Sequence, residues 1–199
     1  MAEVPVNNSF SKKLIDDAKT IPSPVFFITA AVALFCGFFV YGLSIPGVFA
    51  SLFLLALAAC ASSDINAGVV PDAVLILIAV LGIVYFLAVE GWSTGGALLR
   101  AIGIVIVSVP MLLISLLRKG AFGGGDIKLM AAAGLFLGWK LTLAGAVIGM
   151  FISGFYGIYL LVVKKAGAKG KLKLAPFLAV GLGFALLFGN IILSGWYML

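Results

Sequence analysis

Histidine is absent from this 199-residue chain, and only 10% of its residues carry a charge. The first absence removes the commonest general base and a usual ligand of catalytic metals. The second separates the chain from soluble domains, in which about a quarter of the residues are charged. Hydrophobic residues make up 64% of the sequence. The composition therefore predicts a membrane protein whose chemistry must use carboxylates, hydroxyls or lysines.

Cysteine is scarce as well. The two cysteines, Cys36 and Cys60, lie in apolar segments and form no C-x-x-C pair. They are interpreted as small buried hydrophobes rather than as a disulfide or a metal site. We therefore expect no metal and no other cofactor.

Apolar runs separated by polar breaks predict an all-α, polytopic membrane protein with about six or seven transmembrane helices. Residues 1–24 are predicted to be a cytoplasmic or interfacial segment with a short amphipathic helix, and residues 25–199 a single transmembrane domain. The predicted spans are 25–43, 48–63, 73–89, 97–117, 127–138, 141–163 and 174–193. The fifth, about 18 Å long as a helix, is too short to cross a bilayer unaided.

Basic residues favour one orientation of these spans. Three clusters hold eleven of the 13 lysines and arginines: the N-terminal tail, the segment 118–128 and the loop 164–173. Because basic loops favour the cytoplasm, a seven-span chain with its N terminus inside places all three clusters there. The excess of positive charge indicates topology and contact with anionic lipid, and we expect no nucleic-acid partner.

The most informative stretch is G-G-G-D-I-K at residues 123–128, between two apolar segments. Consecutive glycines allow a tight turn or a close approach of another backbone. Asp126 then falls in or beside the first turn of a helix, where amide dipoles favour a negative charge. An ionisable residue at membrane depth is a candidate for function. The alternative is that Asp126 only caps a helix after a flexible loop.

A second carboxylate, Asp64, ends another apolar segment on the same predicted face. Two carboxylates brought close cannot both ionise easily, so one keeps a proton near neutral pH while the other activates a water. That is the minimum for aspartic peptide hydrolysis. The alternative is that Asp64 is a helix-end charge. Asp72, which follows Pro71, is predicted to be an N-cap rather than a catalytic residue.

Three motifs in this order resemble those of the type IV prepilin peptidase family, whose G-x-G-D signature is shared by other membrane-embedded aspartic proteases. Residues 123–128 resemble its G-x-G-D-x-K motif. Asp64, a short loop and Pro71-Asp72 resemble its aspartate followed by Ile-Pro-Asn or Ile-Pro-Asp. The stretch A-P-F-L-A-V-G at 175–181 resembles its P-F-L-A-x-G.

The resemblance implies that Asp64 and Asp126 are the catalytic pair. It implies supporting roles for five residues of the motifs: Gly123, Gly125, Lys128, Pro71 and Pro176. It also implies prepilin-like substrates, in which a short basic leader precedes an apolar helix. Cleavage is then expected at the cytoplasmic face of the plasma membrane, most simply a bacterial inner membrane.

Two features depart from the family pattern. Residues 65–70 contain no basic residue, although the family's first loop usually does. The chain also lacks the insertion with paired C-x-x-C motifs that accompanies N-methylation in larger members of the family. The resemblance is therefore to the short, peptidase-only type associated with Flp or tight-adherence pili.

Three alternatives stay open at this point, and so does the oligomeric state. An archaeal preflagellin peptidase belongs to the same class of enzyme. A small transporter or channel would use intramembrane acids as proton or cation sites, and would place them in mid-span. A scaffold subunit of a secretion machine would not need either aspartate.

Overall fold

The computed structural model describes residues 24–118, 120–162 and 173–196, and this part of the chain is almost entirely helical. The helices are α1 (Pro24–Tyr41), α2 (Ile45–Ala67), α3 (Asp72–Tyr85, continued by a π-helical turn at Phe86–Glu90), α4 (Thr94–Leu117), α5 (Gly124–Val162), α6 (Ala175–Leu187) and α7 (Gly189–Trp196). The interfacial helix predicted before residue 24 lies outside the described residues. So does the loop 164–173, except for Lys173.

The predicted helical membrane architecture is confirmed. Four stretches are long and apolar enough to cross a bilayer, Ile45–Ala67, Asp72–Glu90, Thr94–Leu117 and Gly124–Leu160, and shorter apolar helices lie at Phe26–Tyr41 and Ala175–Leu187. Pro110 lies inside α4.

α5 is divided at Gly138, where the backbone has φ 72° and ψ 176°. Gly125, at the start of α5, lies against Val70, whereas Gly149 lies against Leu178 near the start of α6. Both contacts are at the end of the bundle where α2 ends and α6 begins. A straight helix would separate Gly125 from Gly149 by about 36 Å. The chain therefore reverses at Gly138, which agrees with the two apolar stretches predicted on either side of this position.

α2 extends beyond its predicted end at Ser63 and finishes at Ala67. Gly68 takes a left-handed conformation with φ 67°, and its N–H donates to the carbonyl of Asp64. This is a common way to end a helix. Ser63 is fully buried, so packing against neighbouring helices outweighs the weak helix preference of serine. Asp64 therefore lies in the last turn of a helix and not in a loop.

The last predicted span, 174–193, is not one helix. α6 ends at Leu187, Phe188 forms a turn and α7 begins at Gly189. A side chain at position 189 would come within 3.3 Å of Leu141 at the start of the second half of α5. Glycine at this position has a low helix propensity and also permits the close contact.

The first half of α5 packs against α3 and α4, and one of its aromatic side chains also reaches α2. Phe53 of α2 stacks on Phe136 with 4.3 Å between ring centroids. On the other side the backbones of Gly134 and Gly103 are in contact. They are so close that a Cβ on either glycine would collide with the backbone of the other. Close crossings of this kind are typical of helix pairs in membranes.

Arg100 of α4 closes the far end of this half-helix. Its buried guanidinium pairs with Glu90 at 2.7 Å and donates to the carbonyls of Leu135 and Phe136. Carbonyls in the last turn of a helix need partners from outside the helix, and Arg100 supplies them. This accounts for a basic residue that belongs to none of the three clusters.

The crossing of α4 and α5 gives a first prediction. Gly134→Ala should lower the free energy of unfolding by about 1–3 kcal/mol, because the added methyl group forces the two backbones apart. Thermal unfolding of the purified protein in detergent measures the effect. Gly154→Ala is the matched control, since a Cβ at position 154 of the same helix meets nothing within 4 Å. Equal stability of the two variants would contradict the close crossing.

Candidate active site

Asp126 lies in the first turn of α5 and is 8% exposed. Its backbone N–H donates to the carbonyl of Gly123, and the backbone of Gly123 in turn hydrogen-bonds the Asp126 carboxylate. This reciprocal contact anchors the carboxylate at the positive end of the helix.

The geometry explains two of the three glycines in the run. A Cβ on Gly123 would lie 2.9 Å from Oδ2 of Asp126, and a Cβ on Gly125 would lie 2.8 Å from Cβ of Val70. A Cβ on Gly124 meets nothing within 4 Å. The chain therefore needs glycine at positions 123 and 125 but not between them, which is the pattern of a G-x-G-D motif.

Asp64 approaches from the last turn of α2 and is 7% exposed. The backbone of Ala175, at the start of α6, hydrogen-bonds its carboxylate, and the charge of Lys173 also acts on it. Lys173 is held nearby, because its ammonium donates to the carbonyl of Ile65. The other carboxylate oxygen, Oδ2, is buried and has no hydrogen-bond partner within the described residues. A buried polar atom without a partner costs free energy, so this oxygen is a candidate for contact with water or substrate.

The two carboxylates share a cavity of about 320 Å³, which residues 68–70 and 123–125 also line. They are close enough for the charge of Asp64 to act on Asp126. Among the described residues, these are the two buried carboxylates. The arrangement can hold a water between one ionised and one protonated carboxyl group.

Pro71 and Pro176 each stand at the start of a helix beside the cavity. Pro71 is the fully buried N-cap residue of α3, and its carbonyl accepts from the N–H of Val74. Pro176 is the second residue of α6, directly after Ala175. Proline suits these positions because its φ fits a first helical turn that needs no amide donor there. Both residues fix helix starts rather than supply a reacting group.

The prediction that Asp72 is an N-cap is wrong. Pro71 occupies the N-cap position and Asp72 is the first residue of α3. Its carboxylate pairs with Lys128 at 2.8 Å and so connects α3 to α5. The sequence could not show this partner, because the two residues are far apart in the chain.

Sequence reasoning also missed two groups beside Asp64. In the sequence Lys173 indicates only topology, and Ala175 contributes through its backbone, which no residue pattern reveals. The one sequence signal for these two groups is that Lys173 and Ala175 lie just before the P-F-L-A-x-G stretch. Within the described residues, no three His, Cys, Asp or Glu side chains cluster closely enough to hold a metal ion.

The central part of the chain is similar to a known protein family. The model of the type IV leader peptidase family matches residues 48–158, which is more than half of the chain. The chain belongs to the type IV leader peptidase family. This confirms the family predicted from the motifs. The matched region contains Asp64, Asp126 and Lys128, whereas Pro176 lies outside it.

Two curated members of the family are similar over most of the chain. A prepilin leader peptidase/N-methyltransferase of Bacillus subtilis (strain 168) is 30% identical over 161 residues, which cover 77% of this chain and 61% of the relative. One of Aeromonas hydrophila is 28% identical over 155 residues, which cover 76% of this chain and 53% of the relative. The chain thus spans between a half and two thirds of these relatives. No solved structure gives a significant match to it.

The Asp72–Lys128 contact gives a second prediction. We expect a coupling of about 0.2–1 kcal/mol between Asp72→Asn and Lys128→Gln, because the Lys128 side chain is 61% exposed and solvent weakens the attraction. A double-mutant cycle of unfolding free energies measures this coupling. Asparagine caps helices as well as aspartate does, so Asp72→Asn would change nothing if capping were the role of Asp72. Independent effects of the two substitutions would contradict the ion pair.

Proposed function

We propose that this protein is a membrane-embedded aspartic endopeptidase that removes the basic leader from type IV prepilin-like precursors. The observation that carries the proposal is the pair of buried carboxylates, Asp64 and Asp126, in one cavity at one end of a helical bundle. Membership of the type IV leader peptidase family supports this substrate class. Gly123, Gly125, Pro71 and Pro176 support the site through the backbone.

The reaction needs only the two carboxyl groups and a water. The ionised carboxylate takes a proton from the water, whose oxygen attacks the carbonyl carbon of the scissile peptide, while the protonated carboxyl group gives its proton to the carbonyl oxygen. The C–N bond then breaks, the leaving nitrogen takes the proton that came from the water, and the other carboxylate recovers its proton from the diol. One water is consumed, and one new carboxyl and one new amino terminus result. The single proton belongs to the pair rather than to either residue.

We place the site at the cytoplasmic face of the plasma membrane, in bacteria the inner membrane. Lys128 and Lys173 both lie at the end of the bundle that holds the carboxylates. A concentration of lysine at one end of a membrane bundle favours the cytoplasmic side. The same end would meet anionic lipid headgroups and the basic leader of a precursor.

We further propose that the protein cuts but does not N-methylate, as expected for the Flp or tight-adherence type. The relatives' names couple the two activities. In this sequence the two cysteines form no C-x-x-C pair, and Cys60 is buried. We also propose that catalysis needs no metal, because two carboxylates alone are a poor cage for zinc.

A transporter or channel accounts less well for the site. Both aspartates lie in terminal helical turns at one end of the bundle, and their cavity is at that end. Proton or cation pathways usually place their acids near the bilayer midplane. An archaeal preflagellin peptidase would share the site and the chemistry, and differs from the proposal in its substrate.

The proposal predicts cleavage of a synthetic peptide with a basic leader followed by an apolar segment. Mass spectrometry should locate one cut between the two parts, with no added methyl mass on the new amino terminus. A strong chelator should not change the rate of cleavage.

Asp64→Asn and Asp126→Asn should each abolish turnover about as completely as the double variant, because groups that act as one unit are not additive. Asp72→Asn at matched membrane levels is the control and should keep most of the activity.

Three outcomes would count against parts of this account. Substantial turnover by either single variant would show that the wrong carboxylates are assigned. Methylation of the product by this protein alone would remove the peptidase-only assignment. Loss of activity in chelator, with recovery on addition of zinc, would remove the metal-free mechanism.

The proposed orientation can be tested by cysteine labelling. In a background with Cys36 and Cys60 replaced by alanine, cysteine at exposed Val69 should be labelled from the cytoplasmic side. Cysteine at Ser44 or Ser93, at the opposite end of the bundle, should be labelled from the other side. Labelling of position 69 from the periplasmic side in oriented vesicles would reverse the proposed topology.

A further inference from the structure

The catalytic cavity continues into an apolar groove. A second cavity, of about 470 Å³, shares Asp72 and Lys128 with the first and is otherwise lined by aliphatic side chains. A third, of about 300 Å³, shares Ile104 and Leu135 with the second and extends to Trp92 near the opposite end of the bundle. We refer to the second and third cavities together as the lateral groove. Its walls are α3 and α4, and its floor is the first half of α5.

The lateral groove is open towards the bilayer. α3 and α4 both pack against the first half of α5, but between Asp72 and Tyr85 α3 has few contacts with α4; the two meet at the π-helical turn, where Arg100 pairs with Glu90. Ile76 and Ile83 line the groove from α3, and about half of their surface is exposed, 49% and 47%. From Asp72 to Phe86 the groove follows about 21 Å of helix, which is most of the thickness of the hydrocarbon layer. Its length and its apolar lining suit most of a membrane-spanning helix.

We propose that the lateral groove binds the apolar helix of the substrate, the segment that follows the scissile bond. This inference rests on the proposed function, because the occupant is part of the polypeptide that is cut. A precursor whose scissile carbonyl lies between Asp64 and Asp126 leaves their cavity past the Asp72–Lys128 pair and enters the groove directly. Ala79 and Ala131, which line the groove, let another backbone approach closely.

The Asp72–Lys128 pair suits a polypeptide better than a lipid at this junction. The pair has no net charge, so it offers little attraction for an anionic headgroup. A polypeptide, by contrast, needs no net charge at the point where it leaves the catalytic cavity and enters the groove.

Disulfide cross-linking in vesicles of phosphatidylethanolamine and phosphatidylglycerol tests the groove. The probe is a precursor with a basic leader, an apolar helix and one cysteine moved stepwise along that helix. The protein carries Ile76→Cys or Ile83→Cys with Cys36 and Cys60 replaced by alanine, and Asp126→Asn keeps the probe uncut. Cross-links from position 83 should fall about seven residues further from the scissile bond than those from position 76, because both helices rise about 1.5 Å per residue.

Leu77→Cys and Val84→Cys are the matched controls. Each follows a test position by one residue and is similarly exposed, 49% and 43%, but lines neither cavity of the groove. The controls should cross-link at least about tenfold less, since they point about 100° away around the helix. Two results would overturn the proposal and indicate that lipid occupies the groove. One is equal cross-linking of test and control positions, and the other is that positions 76 and 83 cross-link to the same residues of the precursor helix.

A kinetic experiment separates this inference from the proposed function. The wild-type protein and the Ile83→Trp and Val84→Trp variants are compared on the full precursor and on a short peptide that ends soon after the scissile bond. The quantity compared is kcat/KM for the precursor divided by kcat/KM for the peptide. In Ile83→Trp this ratio should fall about tenfold, which corresponds to 1.4 kcal/mol of lost binding free energy. In Val84→Trp it should stay near the wild-type value. A wild-type protein that cuts neither substrate overturns the proposed function. One that cuts both, with an unchanged ratio in Ile83→Trp, overturns the groove alone.

Discussion

The reversal of α5 at Gly138 is the constraint on which the rest of the structure depends. Because the chain folds back there, the half-helix that begins near Asp126 is followed by a second half that returns to the same end of the bundle. α6 therefore starts beside the end of α2, where the backbone of Ala175 reaches the carboxylate of Asp64. A straight α5 would carry Gly149, against which the start of α6 packs, about 36 Å from Gly125. The reversal thus brings together the three helix ends that form the cavity.

The two ends of the first half of α5 differ in how well the buried charges near them are paired. At the far end Arg100 is buried, but its guanidinium is used by Glu90 and by two carbonyls, so its burial is compensated. At the near end Asp64 keeps a buried oxygen that has no hydrogen-bond partner in the described part of the chain, and Asp126 lies within reach of its charge. Such an arrangement costs stability. We attribute its retention to the chemistry that we propose for the pair.

Much of this could be predicted from the sequence, because the signals were local. Composition and apolar runs gave the membrane fold, and the division of the last third of the chain around Gly138 followed from the length of two apolar stretches. The glycine run pointed to Asp126. What could not be predicted depends on packing between distant segments: the Lys128 partner of Asp72, the burial that keeps α2 helical through Ser63, and the backbone donor at Ala175. The lateral groove, likewise, exists because α3 and α4 pack mainly on a common helix and meet each other only at the π-helical turn.

Infrared spectroscopy of the purified protein in lipid tests most directly whether Asp64 and Asp126 share one proton. At neutral pH the wild-type spectrum should contain the C=O stretch of a protonated carboxyl group. That band should change in intensity or frequency in both Asp64→Asn and Asp126→Asn, because each substitution removes the charge of the group that faces the remaining carboxyl. It should persist in Asp72→Asn. A band that remains unchanged in one of the first two variants would show that its proton belongs to a single residue, and would contradict the shared site.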